Sequence, residues 1–460
     1  MSLLQLGHKQ FARAGSWWLI GSLIGGFALW GILTSPTQAV PSFSRQTGES
    51  CTACHVGGFG PQLTAHGMMF KLGGYTDSDG KEGHVPLSAM AVGSFTHTLK
   101  DLSEDAAPHF GTNNNAAAQE ISAFLAGGLT DHIGAFVQAT YSGIERQLAL
   151  DNADVRYAQT VQLGGEDAIF GVTFNNNPTL QDPFNTIPAW RFPYMASELV
   201  PSPIASPLLN GGLSQQVLGG AAYGYWNNFY AELGAYGTPS ASFLEKVNVA
   251  NDAGSIKSLA PYYRLGYFKD LHTQAYAVGL FGLSADMQPD RASGPTNNYD
   301  DFGIDAWYQF MGTRKHIFSV YTAYIHENQK LNSSFSSGDA DRASASLNRF
   351  DLNASYYYDQ TYGFTAGMFN ITGDQDQTLY APAPDSGSRT GKPDTTGFIL
   401  QADWTPFGKE GSWGEPWANL RLGLQYTFYS KFNGASSDYD GFGRDASDNN
   451  TLFAFIWLAM

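Results

Sequence analysis

From Leu87 to Met460 the chain is a succession of segments of about ten residues in which every second position is apolar. Ile133, Ala135, Val137, Ala139 and Tyr141 share one face, with Gln138 and Thr140 on the other. Phe302, Ile304, Ala306, Tyr308 and Phe310 stand in the same way against Asp305 and Gln309, and Phe350, Leu352, Ala354, Tyr356 and Tyr358 against Asp351, Asn353 and Ser355. Phe398, Leu400, Ala402 and Trp404 oppose Gln401 and Asp403, and Leu420, Leu422, Leu424, Tyr426 and Phe428 oppose Arg421 and Gln425. A period of two puts successive side chains on opposite faces of a strand. Repeated in this way with aromatic ends, it predicts strands with lipid outside and a polar lumen inside, the signature of a transmembrane β-barrel. No apolar run in this region approaches the roughly 18 residues that a membrane helix needs.

The connections alternate in length. Short turns fall near Thr130–His132, Gly164–Asp167, Asn227–Asn228, Lys269–Asp270, Gly312–Arg314 and Asp359–Thr361, with a longer one at Pro406–Glu415. Long polar loops lie between them, at Asp101–Ala117, Gly143–Asp151, Asn177–Ser214, Pro239–Ile256, Asp286–Asp300, Asn328–Ser346, Thr372–Asp394 and Asn433–Asn449. The sequence therefore predicts an all-β fold, a barrel of sixteen strands give or take two, since Gln274–Leu283 alternates poorly. In bacterial outer-membrane barrels short turns face the periplasm, which places both the N and the C terminus of the mature chain there. The last strand, with Leu452, Ala454, Ile456, Leu458 and Met460 on one face, resembles a barrel insertion signal that ends on methionine rather than an aromatic residue. A soluble sandwich or propeller is the rival architecture, but it has no need of eight long loops on one side.

Composition agrees: charged residues are 14 %, aromatic residues 14 %, and there are 52 glycines among 460 residues. The net charge of −16 argues against a nucleic-acid partner and suits attraction of cations. Residues 1–39 read as a signal peptide, with Lys9 and Arg13, an apolar run from Trp17 to Leu33, and the small-residue site Thr37, Gln38, Ala39. An uncleaved anchoring helix is the alternative. Three parts follow: a leader (1–39), a segment too small to bury a core by itself (40–86), and the barrel (87–460).

The small segment carries Cys51, Thr52, Ala53, Cys54 and His55, a c-type haem attachment sequence. Two thiols at that spacing can each add to a haem vinyl group, and the adjacent imidazole then meets the iron from one face. These are the only two cysteines of the chain, so one covalently bound haem c is the expected cofactor and no disulfide is possible elsewhere. A closed zinc site is the rival and usually needs more cysteine or histidine ligands than lie nearby. Candidates for the distal ligand are Met90, Met68, Met69, His66 and His84, or the site is open; a thioether raises the reduction potential relative to a second imidazole. Phe43, Phe59, Phe70 and Tyr75 are the expected apolar packing around the haem.

Three stretches carry a family likeness: PSFSRQTGESCTACH with PQLTAHGMMFKLGGYT, PLSAMAVGSFTHT from Pro86 to Thr98, and NNNPTLQDPFNTIPAWRFPY from Asn175 to Tyr194. In these the chain resembles the fused outer-membrane monohaem cytochrome c-porins, known best as iron(II) oxidases. His66 and Met68 depart from the family pattern, which more often has an aromatic residue and an arginine there. The resemblance implies a haem in or at the mouth of a sixteen-stranded barrel, Cys51 and Cys54 as thioether residues, His55 as proximal ligand, and electrons passing from extracellular Fe(II) to a periplasmic cytochrome c or copper protein. Met90 lies in one of the matching stretches, at the start of the first strand, where coordination would clamp the haem segment to the barrel wall. The rival functions are a porin with a structural haem plug and electron export to an external acceptor.

One haem cannot cross a hydrocarbon layer of about 30 Å, so the barrel has to shorten the path. A sixteen-stranded barrel is wide enough to admit part of a small module, which suggests that the cytochrome segment enters the lumen as a partial plug. The Asn177–Ser214 loop, with Asp182, Asn185, Trp190 and Arg191, is expected either to fold inward as a constriction or to form an outer cap. Asp438, Asp440, Asp445 and Asp448 either attract hydrated ferrous ion or solvate their loop.

Overall fold

In a computed structural model of the chain, which describes residues 40–81, 83–250, 254–291 and 293–460, alternation becomes a closed antiparallel barrel. The leader read from the sequence lies outside the described residues. The strands are β1 (Leu87–Thr98), β2 (Asn115–Gly128), β3 (Ile133–Ser142), β4 (Gln147–Leu163), β5 (Glu166–Asn175), β6 (Leu218–Trp226), β7 (Phe229–Gly237), β8 (Ser255–Ile256) and β9 (Ala260–Asp270). They continue with β10 (Gln274–Gln288), β11 (Asn297–Phe310), β12 (His316–Lys330), β13 (Ser344–Tyr358), β14 (Tyr362–Gly373), β15 (Thr395–Trp404), β16 (Asn419–Lys431) and β17 (Thr451–Ala459). β8 is two residues long and pairs with β10 beyond the end of β9, so the two share one place and the wall has sixteen strands.

Closure is made by β1, where Met90 stands opposite Ala459 of β17 on one side and Ser122 of β2 on the other. Among the described residues no sheet edge is left in the wall, as a strand structure in lipid requires. The apolar sets point outward: Phe302, Ile304, Tyr308 and Phe310 of β11 are exposed while Asp305 and Gln309 are buried in the lumen. Among the described residues no helix is long and apolar enough to cross a membrane.

One connection differs from the sequence reading. Gly143–Asp151 is not a long loop, because β4 already begins at Gln147 and Leu148 continues the outward apolar set. Asp151, at the end of that range, and its neighbour Asn152 are buried on the inner side of that strand, where they bond to Thr140 and Gln138.

The lumen is filled. Residues 40–81 enter it as α1 (Pro41–Thr47), α2 (Cys51–Cys54) and α3 (Ala65–Leu72), and the loop after β5 folds in beside them. α1 starts on a proline, whose fixed φ suits a first helical turn, and stops at Gly48, φ 72°. α3 is capped by Thr64, whose Oγ1 accepts from the Gly67 N–H at 3.2 Å.

Candidate functional site

Wall residues from around the barrel hold this segment, four of them by its backbone carbonyls and two through the Ser42 and Gln62 side chains. The Ala126 carbonyl of β2 accepts from Ser42 Oγ at 2.7 Å, Arg156 of β4 donates to the Lys71 carbonyl at 3.0 Å, and Tyr223 of β6 donates to the Leu72 carbonyl at 2.8 Å. Gln309 of β11 donates to the Leu63 carbonyl at 2.6 Å, Gln62 donates to Ser355 of β13 at 3.1 Å, and Asn419 of β16 donates to the Gly58 carbonyl at 2.7 Å. Each such bond contributes about 0.5–1.5 kcal/mol, more where a charged group takes part, so the segment is part of the fold rather than a tail.

Cys51, Cys54 and His55 sit at the short-turn end. Thr52 N–H donates to the Gly408 carbonyl at 3.1 Å, and Arg314 donates to the Thr52 carbonyl at 3.3 Å; both partners lie in short-side turns. α2 places Cys51 and Cys54 one helical turn apart, and both thiols are free. His55 leaves the helix in an extended conformation, bridging to Leu63, and the chain returns over α2 as α3. Two glycines make that return possible. Gly57 has φ +71° and a β-carbon there would lie 2.2 Å from the Tyr357 ring, while a β-carbon on Gly67 would lie 2.3 Å from the Cys54 carbonyl oxygen.

Burial governs the chemistry of the three residues. It pushes the Cys51 thiol up to about 11, against a weaker hydrogen bond from Asn419, and with the Glu49 charge it pushes Cys54 up to about 12. Burial also brings the His55 imidazole down to about 4, opposed by the nearby Gly60 carbonyl, while Nδ1 lacks a hydrogen bond of good geometry. At neutral pH the imidazole is therefore uncharged, as an iron ligand must be. Two free thiols one turn apart, a neutral imidazole beside them, and the apolar wall made by Phe59 packed edge-on to Trp457 at 4.8 Å fit a covalently attached haem. The ligand atoms of Glu49, Cys54 and His66 lie within 4.8 Å of one another, but a metal there would need the Cys54 thiolate, which burial and Glu49 oppose.

The distal candidates separate. Met90 is buried on the lumen face and belongs to the same cluster as Phe59, Phe70, Tyr75 and Trp457. Met68 is fully buried in a different cluster with Leu63, Tyr223 and Tyr230, and Met69 packs against that one too. His66 pairs with Glu49 at 2.6 Å and His84 with Asp79 at 2.8 Å. Of the expected aromatic packing, Phe43 contacts Phe70 at 5.0 Å and stacks on Tyr75 at 5.5 Å, whereas Phe59 packs on the barrel wall.

The loop Asn177–Ser214 folds inward. Lys71 Nζ donates to the Leu180 carbonyl at 2.9 Å and to Asn185 at 2.8 Å, and lies 3.9 Å from the centre of the Trp190 ring. Asn185 donates to the Pro61 carbonyl at 2.8 Å, Asp182 meets Arg264 at 3.2 Å, and Arg191 meets Asp351 at 2.9 Å. A cavity of about 150 Å³ remains between this loop and the wall, lined by Glu120, Arg191, Met195, Glu198, Arg349 and Asp351 among others. The outer acids are engaged in their own loop. Asp445 and Asp448 form a reciprocal cap, Asp440 accepts from the N–H groups of Phe442 and Arg444, and Asp438 pairs with Arg389 at 3.2 Å.

Sequence reasoning missed Lys71 and the buried pairs Arg156–Asp154 at 2.7 Å and Arg264–Asp305 at 2.9 Å. The signal available for the pairs was a charge at an inward position of an alternating strand; for Lys71 no local signal exists.

The fold and its contents define a closed sixteen-stranded antiparallel barrel whose lumen is occupied by the segment that carries Cys51, Cys54 and His55. No family model and no curated protein matches the chain. Among solved structures it is similar to OmpF of Salmonella typhi in complex with daunomycin, at 11 % identity over 81 % of this chain and 97 % of that one, TM-score 0.45. It is also similar to an anion-selective porin from Comamonas acidovorans, at 8 % identity over 81 % and 98 %, TM-score 0.43. A third is the outer-membrane channel DcaP of Acinetobacter baumannii, at 10 % over 81 % and 96 %, TM-score 0.43.

Proposed function

We propose that the protein is an outer-membrane electron conduit, an iron(II) oxidase that takes electrons from extracellular Fe(II) and delivers them to a periplasmic cytochrome c or copper protein. The observation that carries this reading is the lodging of Cys51, Cys54 and His55 at the short-turn end of a closed barrel, inside a segment bonded to strands all round the wall. A haem c bound there would supply one-electron exchange.

The chain's own residues define the rest. Cys51 and Cys54 would hold the haem covalently, and the neutral His55 imidazole and the Met90 thioether would be its iron ligands, Met90 being chosen because it shares a cluster with Phe59 on the loop just after His55. Phe59 and Trp457 exclude water on that side. The constriction loop, tied to α3 through Lys71, closes the lumen toward the long loops and leaves the cavity lined by Glu120 and Glu198 as the approach from outside. Arg191 and Arg349 line the same passage and burial raises the Glu198 carboxyl to about 7, so a hydrated divalent cation would meet a passage of mixed charge there, with no closed site that would retain the ferric product.

The test is reconstitution in sealed vesicles with the long loops outward. Ferrous ion supplied outside is expected to bring up the absorption bands of reduced haem, and a spectrum that stays oxidised rejects the oxidase. The second reading, a porin in which the haem segment is a fixed plug, draws on the porin-type wall and the residual cavity. It is favoured if the haem is present but exchanges no electrons with either side. Direction is decided by the haem's reduction potential: a value below the ferric/ferrous couple at working pH favours electron export instead.

A further inference from the structure

Three N–H groups of the barrel wall are buried without a partner at the attachment loop: Nε and Nη1 of Arg421 and Nε1 of Trp457. Arg421 is 1 % exposed and Trp457 0 %, and the strand register sets them directly opposite each other on the inner faces of β16 and β17. Each unsatisfied buried donor costs about 1–3 kcal/mol, so a wall that carries three such nitrogens on two cross-strand neighbours is built to meet an acceptor.

Their position identifies it. Nη1 of Arg421 lies where a β-carbon on Gly60 would come within 2.8 Å, so the glycine, φ +86°, lets the guanidinium reach the loop that follows His55. Asn419, two residues earlier on the same face, donates to the Gly58 carbonyl at 2.7 Å, and Trp457 packs on Phe59 at 4.8 Å. The guanidinium is fixed by its other nitrogen, Nη2, which donates to Tyr357 at 2.7 Å and to Asp403 at 3.1 Å. Asp403 is itself held by Gln401 at 2.9 Å. A fixed cation and an indole N–H are donors only, and a carboxylate is an acceptor only.

We infer that Arg421 and Trp457 form the binding site for a propionate carboxylate of the haem. The assignment rests on the reading that Cys51 and Cys54 carry that haem. The ionisable groups facing Arg421 are Asp403 of β15, Tyr357 of β13, Tyr194 of the inward loop and His55 of the attachment segment. Donors aimed at a carboxylate favour its charged form, so losing them raises its pKa. Because the reduced iron carries less positive charge, the carboxylate binds its proton more tightly in the reduced state, and the potential falls with pH across the range in which it titrates.

The test uses the full holoprotein in detergent, with the potential measured spectroscopically from about pH 5 to 9. Trp457→Phe removes one donor and keeps the ring against Phe59. Arg421→Gln combined with Asp403→Asn removes the cation without stranding a buried carboxylate. Both are expected to keep covalent haem and to move the pH-dependent region of the potential upward by about one unit or more. Haem-bearing variants with the parent's profile overturn the assignment, since those nitrogens are then met by water or left unpaired. If the double variant fails to fold, Trp457→Phe alone decides. A parent without haem on a denaturing gel overturns the cytochrome reading and the assignment with it, an outcome distinct from an unchanged profile.

Discussion

Single positions decide whether the attachment segment can lie in the lumen at all. Gly57 combines a left-handed φ of +71° with a neighbour, the Tyr357 ring, 2.2 Å from where a β-carbon would be. Gly57→Ala is therefore expected to destabilise the docked segment by about 1–3 kcal/mol. Limited proteolysis checks this, with faster cleavage within 40–81 while the barrel still migrates as folded. Glu198 shows the same dependence on surroundings in its charge. Burial, reinforced by Glu145 and Asp151, raises its carboxyl to about 7 from an ordinary 4.5. Between those values the folded protein binds the proton that the unfolded chain gives up, so this stabilisation is full below about 4.5 and is lost as pH rises through about 7. Glu198→Gln is expected to raise the thermal midpoint at pH 8 relative to the parent and to change little at pH 4, with an effect of order 1–2 kcal/mol. Equal shifts at both pH values would reject this account.

At the scale of elements, α3 and the constriction loop act as one unit through Lys71. Burial holds its ammonium well below the ordinary lysine range, and its partners are the Leu180 carbonyl, Asn185 and the Trp190 ring. Lys71→Met leaves Asn185 Oδ1 without its donor, at a cost of about 1–3 kcal/mol, and unties the loop from the helix. Amide exchange at Ala189 and Trp190, whose N–H groups bond within the loop, is expected to speed by about tenfold or more, while β11 and β12 are unchanged. Exchange unchanged in the loop would show that the loop stands without α3. This coupling was not legible in the sequence, since Lys71 and Asn185 are 114 positions apart and neither belongs to a periodic pattern. The strands were legible because lipid outside and polar groups inside impose a period of two, and the inward positions of Asp305, Gln309, Arg421 and Gln425 follow from it. The range Gly143–Asp151 was misread as a long loop, whereas the strand already begins at Gln147 and Asp151 is buried in the lumen, accepting from Thr140 of the neighbouring strand. That Cys51, Cys54 and His55 lie together was legible from their spacing, but the inward place of Trp457 was not, because both faces of the last strand are apolar.

For the whole molecule the question is whether the wall depends on what fills it. The β1–β17 and β1–β2 pairings close the barrel without any residue of 40–81, and buried pairs such as Arg421–Asp403 at 3.1 Å lie within the wall itself. The segment, by contrast, draws its hydrogen bonds from β2, β4, β6, β11, β13 and β16 and has no comparable core of its own. The dependence therefore runs one way: the segment needs the barrel, and the barrel needs only water in its place, because inward charges such as Arg156 and Asp154 are solvated once exposed. A chain from which residues 40–81 are removed, with residues 1–39 kept, is expected to fold as a barrel and to conduct ions in planar bilayers at least tenfold better than the parent, whose lumen is closed by the segment and the constriction loop together. The margin is large because a sixteen-stranded wall without its filling encloses an aqueous channel. Equal conductance in the two chains would mean that the loop alone seals the lumen, and the segment would then be a passenger at the mouth rather than part of the seal. Failure of the shortened chain to form a heat-resistant barrel would reverse the direction of dependence and make residues 40–81 part of the wall's own folding.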